Sequence, residues 1–152
     1  MPIAPYHVHP MLVHFPIALF SVAAFFEGVM PLLRKEQKER WQWVGSCLLW
    51  TGTMFSAFTI ASGLWAEATV PAIPSAYDSV ILHKYGGIAV GIIALVLSLW
   101  RFFRRPPQCP RPRLFYLLLW LGLLGLLVFT GFYGGRLVYD FAVGVENFTR
   151  LV

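Results

Sequence analysis

Four long apolar runs constrain the fold of this 152-residue chain more than any other feature of its sequence. A helix needs about 20 apolar residues to cross the hydrocarbon core of a bilayer. The runs at 10–33, 41–65, 79–104 and 114–135 meet that length, and short connections leave no room for a separate soluble domain. The sequence therefore predicts one transmembrane domain over 1–152, an all-α integral membrane four-helix bundle.

The distribution of charge predicts the orientation of this bundle. Only 12% of residues are charged, against about 25% in soluble domains. Most of the twelve basic residues lie between the first and second runs or between the third and fourth. The positive-inside rule then places both of these loops in the cytoplasm and both termini on the outer, periplasmic side of a bacterial cytoplasmic membrane, with helices running up, down, up and down. We interpret the basic residues as orientation signals that touch anionic lipid, and not as a nucleic-acid surface.

No basic residue precedes Arg34, so we expect the first apolar run to be a retained helix and not a cleaved signal peptide. We expect that helix to begin with His9 as its cap and Pro10 in its first turn. Pro16 leaves the carbonyl of Leu12 without its helical partner, which predicts a bend near His14.

Histidines at membrane depth are the main functional candidates, because an ionisable side chain in a transmembrane segment is costly to place there. We predict that His14 and His83 face each other across the bundle, with His9 in reserve and His7 exposed to solvent. Small residues follow each of the two main histidines at helical spacing. They are Ala18 and Ser21 after His14, and Gly87 and Gly91 after His83.

Two imidazoles on facing helices predict a b-type haem with bis-histidine ligation, a six-coordinate site suited to electron transfer. The small residues would make room for the macrocycle, and its propionates would meet Arg136, Lys84 or Tyr139 at the outer surface. The chain contains no Cys-x-x-Cys-His motif, so such a haem would be held without a covalent link. Its walls would be aromatic, from Phe15, Phe55, Tyr85 and Phe132.

Two stretches resemble a known family. The first is His9-Pro10-Met11-Leu12-Val13-His14-Phe15-Pro16-Ile17-Ala18-Leu19, and the second is Gly134-Gly135-Arg136-Leu137-Val138-Tyr139 with Val143-Gly144-Val145. Together with His83 they are similar to a predicted four-helix bacterial membrane family, domain of unknown function 2231. The resemblance implies the same fold over nearly the whole chain, and haem binding through its histidines. This chain departs from the family at Phe141-Ala142, where a His-Gly pair is frequent, and at Arg136, where an acid is frequent.

Other interpretations stay open. Zinc could be held by His7, His9 and an outer carboxylate. A different class is a non-catalytic accessory subunit of a respiratory or photosynthetic membrane complex, with structural histidines or one that ligates a pigment magnesium. The sequence has no nucleophile–base pair, phosphate loop or paired carboxylates, so we favour an electron carrier or accessory subunit over an enzyme. Its partners would be lipid and either other membrane subunits or a periplasmic electron-transfer protein. For Glu27 we expect pairing with Arg34 or hydration at the inner interface, and not a proton relay.

Overall fold

The computed structural model describes residues 5–70, 73–104 and 110–144. These residues form five α-helices, with short 3₁₀ turns at Met30–Leu32 and Pro74–Ala76. The helices are α1 (Pro5–Leu12), α2 (His14–Val29), α3 (Lys35–Thr69), α4 (Tyr77–Phe103) and α5 (Pro110–Tyr139).

Four segments of the described chain are long and apolar enough to cross a membrane, which confirms the predicted all-α bundle. They are Tyr6–Leu32, Glu36–Thr69, Pro74–Phe103 and Pro112–Tyr139. All four extend at least four residues beyond the predicted bounds at one or both ends, because polar helical turns continue past the apolar runs. The first segment combines α1 and α2 and begins earlier than predicted.

The first segment is interrupted at Val13, close to the predicted bend. Pro16 has no N–H for the carbonyl of Leu12, and the Thr59 hydroxyl of α3 approaches that carbonyl at 3.4 Å instead. The predicted helix start is wrong, since His9 and Pro10 both lie inside α1. Val13 nevertheless keeps right-handed helical angles of φ −59° and ψ −27°, and helical bonds from Val13 to His9 and from Ile17 to Val13 span the interruption. One face therefore continues from His9 to the buried Pro16 and Ala23, seven and fourteen residues further on.

The bundle pairs α4 with α5 and packs α1 and α2 along α3. Its apolar core lies between these pairs and is built from the nine residues Phe20, Ala23, Leu49, Val90, Ala94, Leu97, Tyr116, Trp120 and Leu123. We call the end of the bundle that carries His9 and His83 the histidine end, and the opposite end, with Glu27 and Arg101, the arginine end. The start of α1 and the residues after α5 meet at the histidine end, where Tyr6 lies next to Gly144.

A buried ion pair joins the helices at the arginine end. Arg101 of α4 donates from Nη1 to Glu27 Oε1 of α2 at 2.6 Å, and the two side chains are only 3% and 7% exposed. The same guanidinium donates to the Tyr116 hydroxyl of α5, to Ser46 Oγ and to the carbonyl of Gln42 on α3. The prediction that Glu27 pairs with Arg34 is therefore wrong, because Glu27 pairs with Arg101.

Candidate functional site

His9 is turned into the bundle by α1 and anchored on α3. Its Nδ1 lies 3.0 Å from the carbonyl oxygen of Thr59 and 3.3 Å from Ser62 Oγ. A carbonyl oxygen can only accept, so Nδ1 carries the hydrogen and donates it to Thr59. A neutral imidazole has one N–H, and this bond leaves Nε2 of His9 with a free lone pair.

His83 repeats this arrangement on the other side of the bundle. It projects from α4, and its Nδ1 lies 2.9 Å from the carbonyl oxygen of Thr130 on α5. The same reasoning makes Nδ1 the donor and leaves Nε2 as an acceptor. The hydroxyl of Thr130 is buried and has no hydrogen-bond partner among the described residues.

The two free nitrogen atoms point at each other. The Nε2 atoms of His9 and His83 are 3.5 Å apart, and the ring planes are nearly perpendicular at 85°. The ring centroids are 5.8 Å apart, which exceeds the Nε2–Nε2 distance by about two ring radii, so the imidazoles meet end to end. Two acceptors in this position repel each other unless a proton or a metal ion lies between them.

A glycine lies against each imidazole and makes this approach possible. A Cβ atom on Gly63 of α3 would lie 2.9 Å from the His9 ring, and one on Gly134 of α5 would lie 2.8 Å from the His83 ring. Real Cβ atoms essentially never come that close to another heavy atom. Both glycines are thus part of the site, because any other residue would displace the ring it supports.

The structure gives His14 a different place from the one predicted. His83 lies within the site as expected, but His14 begins α2 as an exposed residue on the outside of the bundle. Ala18 and Ser21 share that exposed face, so they make no room beside the paired imidazoles. The predicted pairing of His14 with His83 is wrong, and the reserve residue His9 is the one that faces His83.

The residues predicted to surround a macrocycle are mostly engaged elsewhere. The space at Gly91 is filled from α3, since a Cβ there would lie 2.6 Å from Ile60 Cδ1, and Gly87 lies beside Thr130. Phe15 stacks on Phe55 of α3 with ring centroids 4.7 Å apart. Three of the predicted wall residues are exposed on the outside of the bundle, namely Phe15, Tyr85 and Phe132.

Two of the three predicted propionate partners, Lys84 and Arg136, already have carboxylate partners at the histidine end. Lys84 donates to Glu67 at 2.6 Å. Arg136 donates to Asp140 at 2.9 Å and lies over the ring of Phe141. Tyr139 is 89% exposed.

The end of α5 explains why a glycine suits the position after Phe141. Ala142 donates to the carbonyl of Val138 and Val143 donates to that of Leu137 where the helix ends. Ala142 has φ +50° there, a conformation that glycine adopts more easily.

His7 lies apart from the paired imidazoles, with its ring packed edge-on against Tyr6 at a centroid distance of 4.6 Å. The predicted zinc alternative needs His7, His9 and a carboxylate together. Over residues 5–70, 73–104 and 110–144 no group of three or more His, Cys, Asp or Glu side chains is placed to hold a metal ion.

Sequence reasoning missed the residues that position the imidazoles. Thr59, Ser62 and Thr130 contribute to the site, two of them through carbonyl groups, which every residue has. Gly63 belongs to a stripe of small residues in the second apolar run, and Gly134 to the glycine pair that precedes Arg136. The signal that could have found them is the match in depth between each glycine and a histidine on the neighbouring helix.

Comparison with known protein families identifies the family of this chain. The family described as "Predicted membrane protein (DUF2231)" matches residues 5–147. The chain belongs to this family, which agrees with the four apolar spans. No match was found among curated proteins or among solved structures.

Proposed function

We propose that this protein holds a b-type haem between His9 and His83 and transfers single electrons within the membrane. The observation that supports this proposal is the pair of facing Nε2 atoms, 3.5 Å apart, each left unprotonated by a bond from its own Nδ1 to a backbone carbonyl. Metal-ligating histidines typically donate their other ring N–H in this way, which fixes the tautomer and orients the ring.

The number of ligands favours haem over a bare metal ion. Zinc is almost always bound by four ligands, whereas a haem iron needs only two from the protein because the macrocycle supplies the rest. His9 and His83 would supply that pair of imidazole ligands through their facing Nε2 atoms.

Each part of the chain would have a defined task at this site. A haem held by His9 and His83 would supply one-electron chemistry. Thr59 and Thr130 keep Nε2 of each imidazole available by accepting from Nδ1. Gly63 and Gly134 let α3 and α5 support the rings closely enough to hold their direction.

We further propose a bacterial cytoplasmic membrane as the location, with the histidine end on the periplasmic side and an electron-transfer protein as the partner there. The basic residues Arg34, Lys38 and Arg40 precede the first apolar turns of α3 at the arginine end, and the positive-inside rule assigns such an end to the cytoplasm. Electrons would then enter or leave beside the exposed Tyr139.

Absorption spectroscopy of the full chain purified from haem-replete cells tests this function. We expect a reducible Soret and α-band spectrum that is lost in both His9→Ala and His83→Ala. His14→Ala is the matched control and should keep the full spectrum, because His14 lies outside the bundle.

Helix content measured by circular dichroism shows whether each variant is folded. A colourless parent protein with full helix content would refute the proposal. Loss of the spectrum in the His14 variant, with retention in the His9 variant, would restore the pairing first expected from the sequence.

A further inference from the structure

We propose that the exposed face of α2 is a self-association surface through which two copies of this chain pair in the membrane, with His14 as its polar centre. We call this face the α2 seam and define it as five residues that the structure leaves exposed, namely His14, Ala18, Ser21, Phe25 and Gly28. The proposal does not depend on haem, since the seam lies outside the bundle and contains neither His9 nor His83.

His14 lies within the hydrocarbon core of the bilayer. Trp43 and Trp65 of α3 are exposed at 64% and 54% and are about 33 Å apart at 1.5 Å per residue, close to the roughly 30 Å thickness of the hydrocarbon core. Tryptophan concentrates at the two membrane interfaces. Phe55 lies about midway between them and stacks on Phe15, the neighbour of His14.

An imidazole at that depth needs a partner. Polar side chains in transmembrane segments almost always face the bundle interior or pair with another polar group. His14 does neither within the described part of the chain, where it is exposed and makes no hydrogen bond. Its partner must therefore come from outside this fold.

The rest of the α2 seam is shaped for another helix. The spacing from His14 to Gly28 alternates between four and three residues, the repeat that keeps one helix face against a partner helix. Ala18, Ser21 and Gly28 are small, which lets helix backbones approach closely in a membrane. The space beside Gly28 is open, with no atom within 4 Å of a Cβ built there. The exposed Phe25 ring of a second copy lies one helical turn away along the seam and can fill that space.

The chemistry of His14 favours a second copy over another partner. A neutral imidazole has one N–H donor and one lone-pair acceptor, so His14 of one copy can donate to His14 of the other. Closed two-fold dimers bring the same residue of both chains together. The α2 seam of each copy thus supplies both a hydrogen-bond donor and an acceptor at His14. It also supplies the exposed Phe25 ring and the open space at Gly28.

Disulfide cross-linking in native membranes tests the position of the interface. We compare Ala18→Cys in the α2 seam with Leu95→Cys on α4, in a background without the two native cysteines. Both sites are exposed and lie at similar depth, because Leu19 lies against Gly52 and Ala94 against Thr53. We expect an oxidised dimer for Ala18→Cys and essentially none for Leu95→Cys.

Fluorescence energy transfer between labelled chains in bicelles tests the role of His14. We expect His14→Phe to weaken dimerisation about tenfold, the effect of one interhelical hydrogen bond in a membrane. His14→Asn should retain the dimer, because an amide also donates and accepts. Circular dichroism should show unchanged helix content in both variants, since His14 makes no hydrogen bond within the described part of the fold.

Three results would overturn the proposal. They are equal cross-linking at Ala18 and Leu95, a protein that stays monomeric at every protein-to-detergent ratio, and cross-linking of Ala18→Cys only to a different protein. Repeating the Ala18→Cys cross-linking in a His9→Ala background distinguishes a failure of this proposal from a failure of the proposed function. The dimer should persist in that variant whether or not the parent protein carries haem.

Discussion

The two polar clusters of this bundle lie at opposite ends of α3, α4 and α5 and differ in how completely their hydrogen-bonding groups are satisfied. At the arginine end, Arg101 donates to Glu27, Tyr116, Ser46 and the carbonyl of Gln42. At the histidine end, His9 and His83 donate outward to α3 and α5 and present two bare acceptors to each other.

This difference separates a structural cluster from a binding site. A buried charge is tolerated when it is paired and hydrogen-bonded, and the arginine end meets both conditions without any added group. The histidine end does not, because in the neutral tautomers set by the carbonyl groups of Thr59 and Thr130 two acceptors face each other. An added cation would complete that end, and this is why we propose a ligand there and none at Arg101.

Breaking the arginine end should give the largest loss of stability. Arg101→Met leaves the Glu27 carboxylate buried without its partner, and removal of one member of a buried pair costs about 3–5 kcal/mol. We expect the melting temperature in detergent, followed by circular dichroism, to fall sharply while any haem spectrum of the folded fraction is unchanged.

The control for this variant is the double variant Glu27→Leu/Arg101→Met, which removes both charges. Replacement of a whole buried ion pair by apolar residues is often neutral, so the double variant should melt closer to the parent than Arg101→Met does. A double variant that is less stable than the single one would show that Glu27 stabilises the bundle through groups other than Arg101.

The fold was predictable because it follows from composition along the chain. Apolar runs of membrane-spanning length and short connections leave few arrangements besides an antiparallel bundle. Glu27 shows the limit of the same reasoning. Arg34 is close in sequence and Arg101 is distant, and only the packing of α2 against α4 and α5 brings Glu27 to Arg101.

The site was half predictable. A histidine in the first segment facing His83 was expected, but the choice between His9 and His14 depends on which face of that segment packs against α3. His9 shares the buried face with Pro16 and Ala23, whereas His14 lies on the exposed face. Apolar residues occupy both faces of this segment, so hydropathy alone does not mark the face that is buried.

A smaller effect should follow from changing the glycines that support the imidazoles. Gly63→Ala and Gly134→Ala each place a methyl group less than 3 Å from a histidine ring. We expect a cost of about 1–3 kcal/mol from overpacking, together with a weakened or altered haem spectrum. Absorption spectra and thermal melts of the two variants provide the measurement.

Matched controls for these variants lie in the same helix as Gly134. A methyl group added at Gly125 or Gly131 would meet no atom within 4 Å, so alanine there should be neutral or gain up to about 1 kcal/mol from helix propensity. Equal behaviour of Gly134→Ala and Gly131→Ala would mean that the contact with His83 carries no constraint.

The smallest effect should come from the surface of the histidine end. Arg136→Gln breaks the ion pair with Asp140. The side chains of Arg136 and Asp140 are 41% and 50% exposed. Exposed pairs four residues apart on a helix contribute about 0.3–0.5 kcal/mol, so the melting temperature should hardly change. Because Arg136 already donates to Asp140, we also expect the haem spectrum of Arg136→Gln to be unchanged. A clear loss of haem affinity, measured by titration of the apoprotein, would mean that Arg136 exchanges Asp140 for a propionate and that the charged surface belongs to the binding site.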